Sequence, residues 1–252
     1  MSPTSTIRLN KFLAEAGLAS RRGADALIFA GRVTLNGQTV TEAGTQVRPD
    51  QDHVLVDGRP VAVVARAATY IVLHKPVHTV CTVTDPQGRQ TVLDLLPKDL
   101  RQRRVVPVGR LDYMSEGLLL LTDDGEVTLR LTHPSFEHPK QYEVLVRGTV
   151  PEAALQAMGQ GLRLAEGEQL APVKARTQSL PDGKTKLHLT LTQGINRQIR
   201  RMCRDLGLTI LRLRRVAVGP IQLGDLAPGR WRHLTPDEVR TLKTSLGLTE
   251  NS

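Results

Sequence analysis

The chain has 252 residues, 40% of them hydrophobic, enough for one large domain or for a small and a medium one. It has no apolar run of about 18 residues, which excludes a membrane-spanning helix, and its opening, MSPTSTIRLNKF, lacks the apolar segment of a secretion signal. The formal net charge of +9 is concentrated, with nine Lys/Arg against one Asp/Glu in residues 184–215, a density that suits a polyanion and nucleic acid first.

The first signals along the chain are helical. Leu9, Phe12, Leu13 and Ala16 recur at helical spacing and predict a helix over residues 7–16, ended by Gly17. Ser20 is placed to cap a second helix with Ala24, Leu27 and Ile28 inward, closing at Gly31. Arg21 and Arg22 fall in its first turn, where cations oppose the helix dipole. The placement makes sense if the helix-end N–H groups and both guanidinium groups face one run of phosphates. Val33 and Leu35 alternate as a strand before the hairpin turn Asn36-Gly37, and Val54 to Val56 before Asp57-Gly58 repeats the signal. Two helices followed by short strands make a small α+β unit. The Ala/Val-rich stretch PVAVVARAAT puts a domain boundary near residue 66.

Strands dominate from Tyr70. Tyr70 to Leu73 is a short strand stopped by Lys75-Pro76, and Val92, Leu93, Leu95 and Leu96 predict a short helix ended at Pro97. Val105, Val106 and Val108 form one apolar run, Leu118 to Leu121 a second, with a polar loop from Gly109 to Gly117 between them. Asp123-Asp124-Gly125 is a turn from which Asp124 caps a helix through Leu131. Lys140 to Val146 alternates as a strand, Glu152 to Met158 is a helix led by Pro151, and residues 162–191 are strands with a hairpin at Asp182-Gly183. A glycine loop, Gln193-Gly194, then enters a helix with Ile199, Met202, Cys203 and Leu206 inward. Arg197, Arg201 and Arg204 cluster on its far side, and Arg200 lies at the border of the apolar face, where a guanidinium can reach a carboxylate in a cleft. Leu211 and Leu213 point one way and Arg212 and Arg214 the other, extending the basic face.

The chemistry-bearing residues are few. Asp112 and Arg110 share the polar loop, a place where a carboxylate can be fixed between two strands for attack on a bound substrate, although that loop taken alone reads as an Asp capping a turn. Tyr142, taken alone, is a packed strand residue. Cys81 and Cys203 are far apart, and both read as thiols of a reducing cytoplasm. His133 and His138 flank prolines with no third ligand at zinc spacing, so no metal is expected. No dinucleotide fingerprint or phosphate loop occurs. Aromatics at 3% argue against a sheet that stacks several bases.

Gly109-Arg110-Leu111-Asp112 followed by Ser115 to Gly125, SEGLLLLTDDG, resembles the catalytic motif of RNA pseudouridine synthases. The likeness is greatest to the branch that modifies ribosomal RNA and carries a small RNA-binding module in front. RLNKFLAEAGLASRRGADALIFAGRVTLNG is similar to that S4-like module, and Lys11, Arg21, Arg22 and Arg32 match basic positions of its RNA face. His74-Lys75-Pro76 resembles the family's opening motif; where the family usually has a glycine soon after the proline, this chain has Val77-His78. Lys140-Gln141-Tyr142 resembles the tyrosine motif and Gln198-Ile199-Arg200 the last one. The resemblance implies that Asp112 is the catalytic residue, that Arg200 pairs with it, that the ring of Tyr142 lies against the target uracil, and that Arg110 helps hold the opened RNA.

These readings predict a mixed α+β protein with an S4-like domain over residues 6–66 and a mixed-sheet catalytic domain over 67–246. The expected activity is isomerisation of uridine to pseudouridine in ribosomal RNA, with large-subunit 23S RNA favoured. The expected enzyme is a cytoplasmic monomer with no cofactor and no membrane partner, and Arg197 and Arg201 add phosphate contacts. A non-catalytic RNA-binding or ribosome assembly factor of the same fold is the alternative. A carboxylate glycosidase is disfavoured because its second carboxylate would have to be Glu116, in a Leu-rich setting without a sugar platform.

Overall fold

The computed structural model describes residues 6–63 and 66–248. The first five residues of the opening segment, and Val64 and Ala65 of the boundary stretch, lie outside the described residues. Chain contacts divide the protein into two compact units, Met1–Ala67 and Ala68–Ser252.

The first unit runs β1 (Ile7–Arg8), α1 (Leu9–Glu15), α2 (Arg21–Phe29), β2 (Val33–Leu35), β3 (Gln38–Val40), β4 (Gln46–Val47), β5 (Val54–Val56) and β6 (Arg59–Pro60). The first helix begins two residues later than its periodicity suggests, because Ile7 and Arg8 pair with Val47 and Gln46. Ser20 caps α2 by accepting from the Gly23 N–H at 3.1 Å. Asn36-Gly37 and Asp57-Gly58 all have positive φ, from 50° to 82°, the conformation that two-residue hairpins require. Phe12, Leu13, Ala24, Ile28, Val33 and Val54 form its core.

The second unit contains β7 (Tyr70–Lys75), α3 (Lys98–Gln102), β8 (Val106–Val108), β9 (Glu116–Thr122), α4 (Gly125–Thr132), β10 (Lys140–Arg147), α5 (Glu152–Gln160), β11 (Lys174–Ser179), β12 (Lys184–Leu191), α6 (Gln198–Asp205), β13 (Ile210–Val218), β14 (Ile221–Gln222), β15 (Trp231–His233) and α7 (Pro236–Ser245). One mixed sheet runs β11-β12-β10-β13-β9-β7-β15, with β8 also on β9 and β14 on β13. β9 and β13 pair in parallel; the other named pairs are antiparallel. β7 and β9 are buried at every position because they lie between two apolar layers. Val127, Leu131 and Leu242 of α4 and α7 join Val72, Leu118 and Leu120, and Ile71, Leu73, Leu119 and Leu121 pack on Val92, Leu96 and Leu100. α5 and α6 cover β10, β12 and β13 through Met158, Ile199, Met202 and Cys203. Asp124 caps α4 as expected, accepting from the Glu126 and Val127 N–H groups.

Three local expectations are corrected. No helix forms over 92–96: the Asp94 carboxylate accepts from Thr91 N–H at 2.8 Å and Thr91 Oγ1 at 2.9 Å and folds the stretch into turns, so Pro97 opens α3 instead of ending a helix. Residues 162–173 form a loop with a single bridge, Arg163 to Gln169, turned at Gly167, where φ is +99°. Leu211 does not share the face of buried Leu213. The register between β10 and β13 shifts so that Leu145 and Val146 face Arg212 and Ile210, and Leu211 is the extra residue, 42% exposed.

The parallel pair demands a glycine. Gly117 lies opposite Arg215 with φ +110°, and a Cβ there would stand 2.2 Å from the Arg215 carbonyl oxygen. Gly117→Ala must therefore open the β9–β13 pair or abandon its backbone conformation. The expected loss, read as the shift in urea midpoint, is about 3 kcal/mol or more.

Candidate active site

The loop from Gly109 to Ser115 joins β8 to β9 and is held from beneath by a lysine. Lys75, the last residue of β7, pairs with Gly117 in the sheet, and its side chain is fully buried. Its Nζ donates to the carbonyls of Pro76 at 2.9 Å, Asp112 at 3.1 Å and Ser115 at 2.7 Å. An ammonium has three N–H groups, and here each has a backbone acceptor. Burial pushes its pKa down to about 8, against the pull of neighbouring acids that include Asp112 and Glu116.

Arg200, in the first turn of α6, holds the same loop from the other side. Its Nη2 donates to the Met114 carbonyl at 2.7 Å and to Ser115 Oγ at 3.0 Å. Its Nε stands 3.7 Å from Asp112 Oδ2, an ion pair longer than a hydrogen bond. Burial lowers the Arg200 pKa and the Asp112 charge opposes that shift, while a guanidinium stays protonated throughout the working range. Arg215 is the third anchor. It is 4% exposed, and its Nε donates to the Leu118 carbonyl at 2.8 Å.

Arg200 and Arg215 line one cleft of about 310 Å³, with Arg110, Asp112, Lys140, Tyr142 and Arg197 also on its walls. Asp112 is half-buried there. Tyr142 packs its ring against the α5–α6 core and pairs with Arg215 across the sheet. Arg110 and Arg197 are exposed. Arg197 caps α6 in the left-handed region, at φ 51° and ψ 28°, a conformation uncommon for a residue other than glycine. A second hollow, of about 320 Å³, is lined by Gln141, Arg176, His188 and Thr190 and has no carboxylate on its walls.

Arg201 does not join the cleft. Its guanidinium bonds Glu166 at 3.0 Å and Glu168 at 2.5 Å, and Arg204 bonds Glu166 at 2.7 Å. Both partners come from the loop over 162–173, so Arg201 ties that loop to α6, and a phosphate would have to displace two carboxylates. The basic face of β13 is likewise neutralised in part: Arg212 pairs with Glu116, and Arg214 with Glu143 at 2.5 Å. In the first unit, Arg21 and Arg22 are exposed at the start of α2, Lys11 lies 3.7 Å from Glu15, and Arg32 pairs with Asp57 at 2.5 Å. Val77-His78 keeps the turn that a glycine would make, since His78 adopts φ +60° and its N–H donates to the Tyr113 carbonyl at 2.8 Å.

Lys75 and Arg215 were given no role in the sequence reading. For Arg215 a signal existed, since a period of two from buried Leu213 turns it inward. For Lys75 the strand pattern gave none, because burying an ammonium requires acceptors that come from residues 37 and 40 positions away.

Comparison with known proteins bears on the whole chain. Residues 69–205 match the family described as RNA pseudouridylate synthase, and residues 7–53 match the S4 domain. An uncharacterized RNA pseudouridine synthase of Aquifex aeolicus is 43% identical over 96% of this chain and 96% of its own. The ribosomal large subunit pseudouridine synthase B of Bacillus subtilis is 41% identical over 94% of this chain and 95% of its own. A crystal structure of a pseudouridylate synthase superposes with a TM-score of 0.66 at 30% identity, covering 94% of this chain and 99% of that one.

The lysine anchor has a pH signature. The folded pKa of Lys75, about 8, lies below its ordinary value of 10.5. The folded chain therefore gives up this proton first, and between those values the unfolded chain binds more protons. Lys75 alone makes stability rise with pH through that window, by up to about 3 kcal/mol. Unfolding free energies measured from pH 7 to 10.5 should show this rise in the wild type relative to Lys75→Met; parallel curves would mean that Lys75 titrates normally.

Proposed function

The chain belongs to the RNA pseudouridylate synthase family and carries an S4 domain at its N-terminus, and from that premise we propose that it isomerises uridine to pseudouridine in large-subunit ribosomal RNA with Asp112 as nucleophile. The name of the Bacillus subtilis relative supports that choice of substrate. The observation that carries the reading of the site is the convergence of Asp112, Arg200 and Tyr142 on one cleft. Residues 6–66 serve as the RNA-binding module and 67–246 as the catalytic domain.

The reaction breaks the bond between N1 of uracil and C1′ of ribose and joins C5 to C1′. The C5 proton leaves and N1 gains one, so atoms and electrons balance without a co-substrate or an electron carrier. A paired target must first leave its stack, at a cost of a few kcal/mol, which contacts from Arg110, Arg197 and the first unit's Arg21 and Arg22 offset. Asp112 then forms a covalent bond to the substrate, and that bond breaks, returning the carboxylate, in the steps that join C5 to C1′. Arg200 aims Asp112, because the same guanidinium holds the carbonyl and hydroxyl that follow it in the loop. Tyr142 supplies a wall for the extruded uracil. We read the enzyme as acting as a monomer. Among the described residues no helix is long and apolar enough to cross a membrane, which is compatible with work in the cytoplasm.

The test is to map pseudouridine across ribosomal RNA from cells with and without this protein, and then to follow single turnover on the mapped fragment. Asp112→Asn should lose at least roughly 10³-fold in rate while binding the fragment within about threefold of wild type, because affinity is spread over phosphate contacts. Near wild-type turnover would remove Asp112 from the chemistry. A protein that binds ribosomal RNA and changes no uridine would be an assembly factor.

A further inference from the structure

The loop that carries Asp112 faces two ways. Asp112 and Ser115 line the cleft, while Tyr113 and Met114 between them turn outward, 41% and 51% exposed. A second loop meets them there. The His78 N–H is bonded to the Tyr113 carbonyl at 2.8 Å, and the two rings lie 5.3 Å apart between centroids, tilted by 47°. Val77, beside His78, is 37% exposed. The result is a patch of ring and thioether surface, one residue from Asp112, on a chain of net charge +9; the Arg89 guanidinium near Tyr113 is paired with Asp85 at 2.8 Å. Exposed apolar patches of this kind mark contact surfaces.

The patch has features that backbone geometry alone does not require. The turn at φ +60° is one that glycine makes without strain, yet the chain places a histidine there and gains a second ring against Tyr113. Of the three tyrosines, Tyr70 is buried in the core, Tyr142 is half-buried on the wall of the cleft, and Tyr113 is exposed. Its place fixes what can cover it. A nucleotide whose base enters the cleft leaves its neighbours at the mouth, next to Asp112. Those neighbours have lost a stacking partner to extrusion of the target. An aromatic surface offers a π-face to any base.

We propose that Tyr113, backed by His78 and flanked by Met114, is a stacking platform for the nucleobase adjacent to the target uridine. The proposal rests on the reading that the cleft receives an extruded uracil. Stacking of this kind is tolerant of sequence, so the platform holds the flanking nucleotide in place without selecting its identity.

The test uses the whole protein and single-stranded RNA nonamers with one central uridine and 2-aminopurine on its 5′ or 3′ side. 2-Aminopurine loses fluorescence when it stacks on an aromatic ring, and end-label anisotropy reports binding independently. Wild type should quench one of the two flanks. Tyr113→Ala should leave it bright and raise Kd roughly tenfold, Tyr113→Phe should behave as wild type, and His78→Gly, which suits the turn, should quench less. Circular dichroism checks that each variant is folded. Quenching by Tyr113→Ala equal to wild type, or no quenching of either flank by wild type, overturns the platform. Pseudouridine is assayed in the same samples: normal quenching without product supports the platform and counts against the isomerase reading, so the two fail separately.

Discussion

A lysine ammonium with no water around it is the constraint on which the site depends. Charged lysine is almost never fully buried unless its donors are satisfied. Lys75 meets that condition by taking the carbonyls of Pro76, Asp112 and Ser115, and this fixes the Asp112 loop to the end of β7. Both ends of the turn carrying Tyr113 and Met114 are thereby held by one charge. β7 and β9, which are buried on both faces, give that anchor a fixed base.

The remaining anchors follow from that arrangement. With the loop backbone tied to Lys75, Arg200 can bond the outward carbonyl of Met114 and still approach the Asp112 carboxylate. Arg215 can enter beside the loop only because Gly117 has no side chain where the β13 backbone passes. Three cations surround one carboxylate and its loop, and repulsion between like charges grows as water is excluded. Here each is spread over backbone acceptors, and the carboxylate is left half-exposed to a substrate. Outside the cleft the opposite holds, since Arg201, Arg204, Arg212 and Arg214 are matched to acids and their charge is spent within the protein.

Much of this was legible in the sequence because it is local. The Ser20 and Asp124 caps, the Asn36-Gly37 and Asp57-Gly58 hairpins and the inner face of α6 depend on residues within one turn of each other, and they formed as their chemistry dictates. The Asp112, Tyr142 and Arg200 motifs predicted one site, and the fold brings them to one cleft. What was illegible depends on distant partners. Arg201 looked free because Glu166 and Glu168 lie more than 30 positions away in sequence. Leu211 looked inward because a bulge leaves no local mark. The 92–96 stretch had helical spacing, but Asp94 offered Thr91 a nearer partner than the helix could. Val77-His78 stands where the family usually has a glycine, and His78 adopts a left-handed turn there.

The central claim is that Lys75 positions the Asp112 loop and is not merely tolerated beneath it. Hydrogen exchange of wild type and Lys75→Met, read peptide by peptide, tests this most directly. Methionine keeps the apolar stem and removes all three donors. Amides of residues 109–116 should then exchange faster, while β7, the rest of β9 and β13 keep their protection. Unchanged exchange in 109–116 would contradict the account, because the loop would then owe its place to the strands alone.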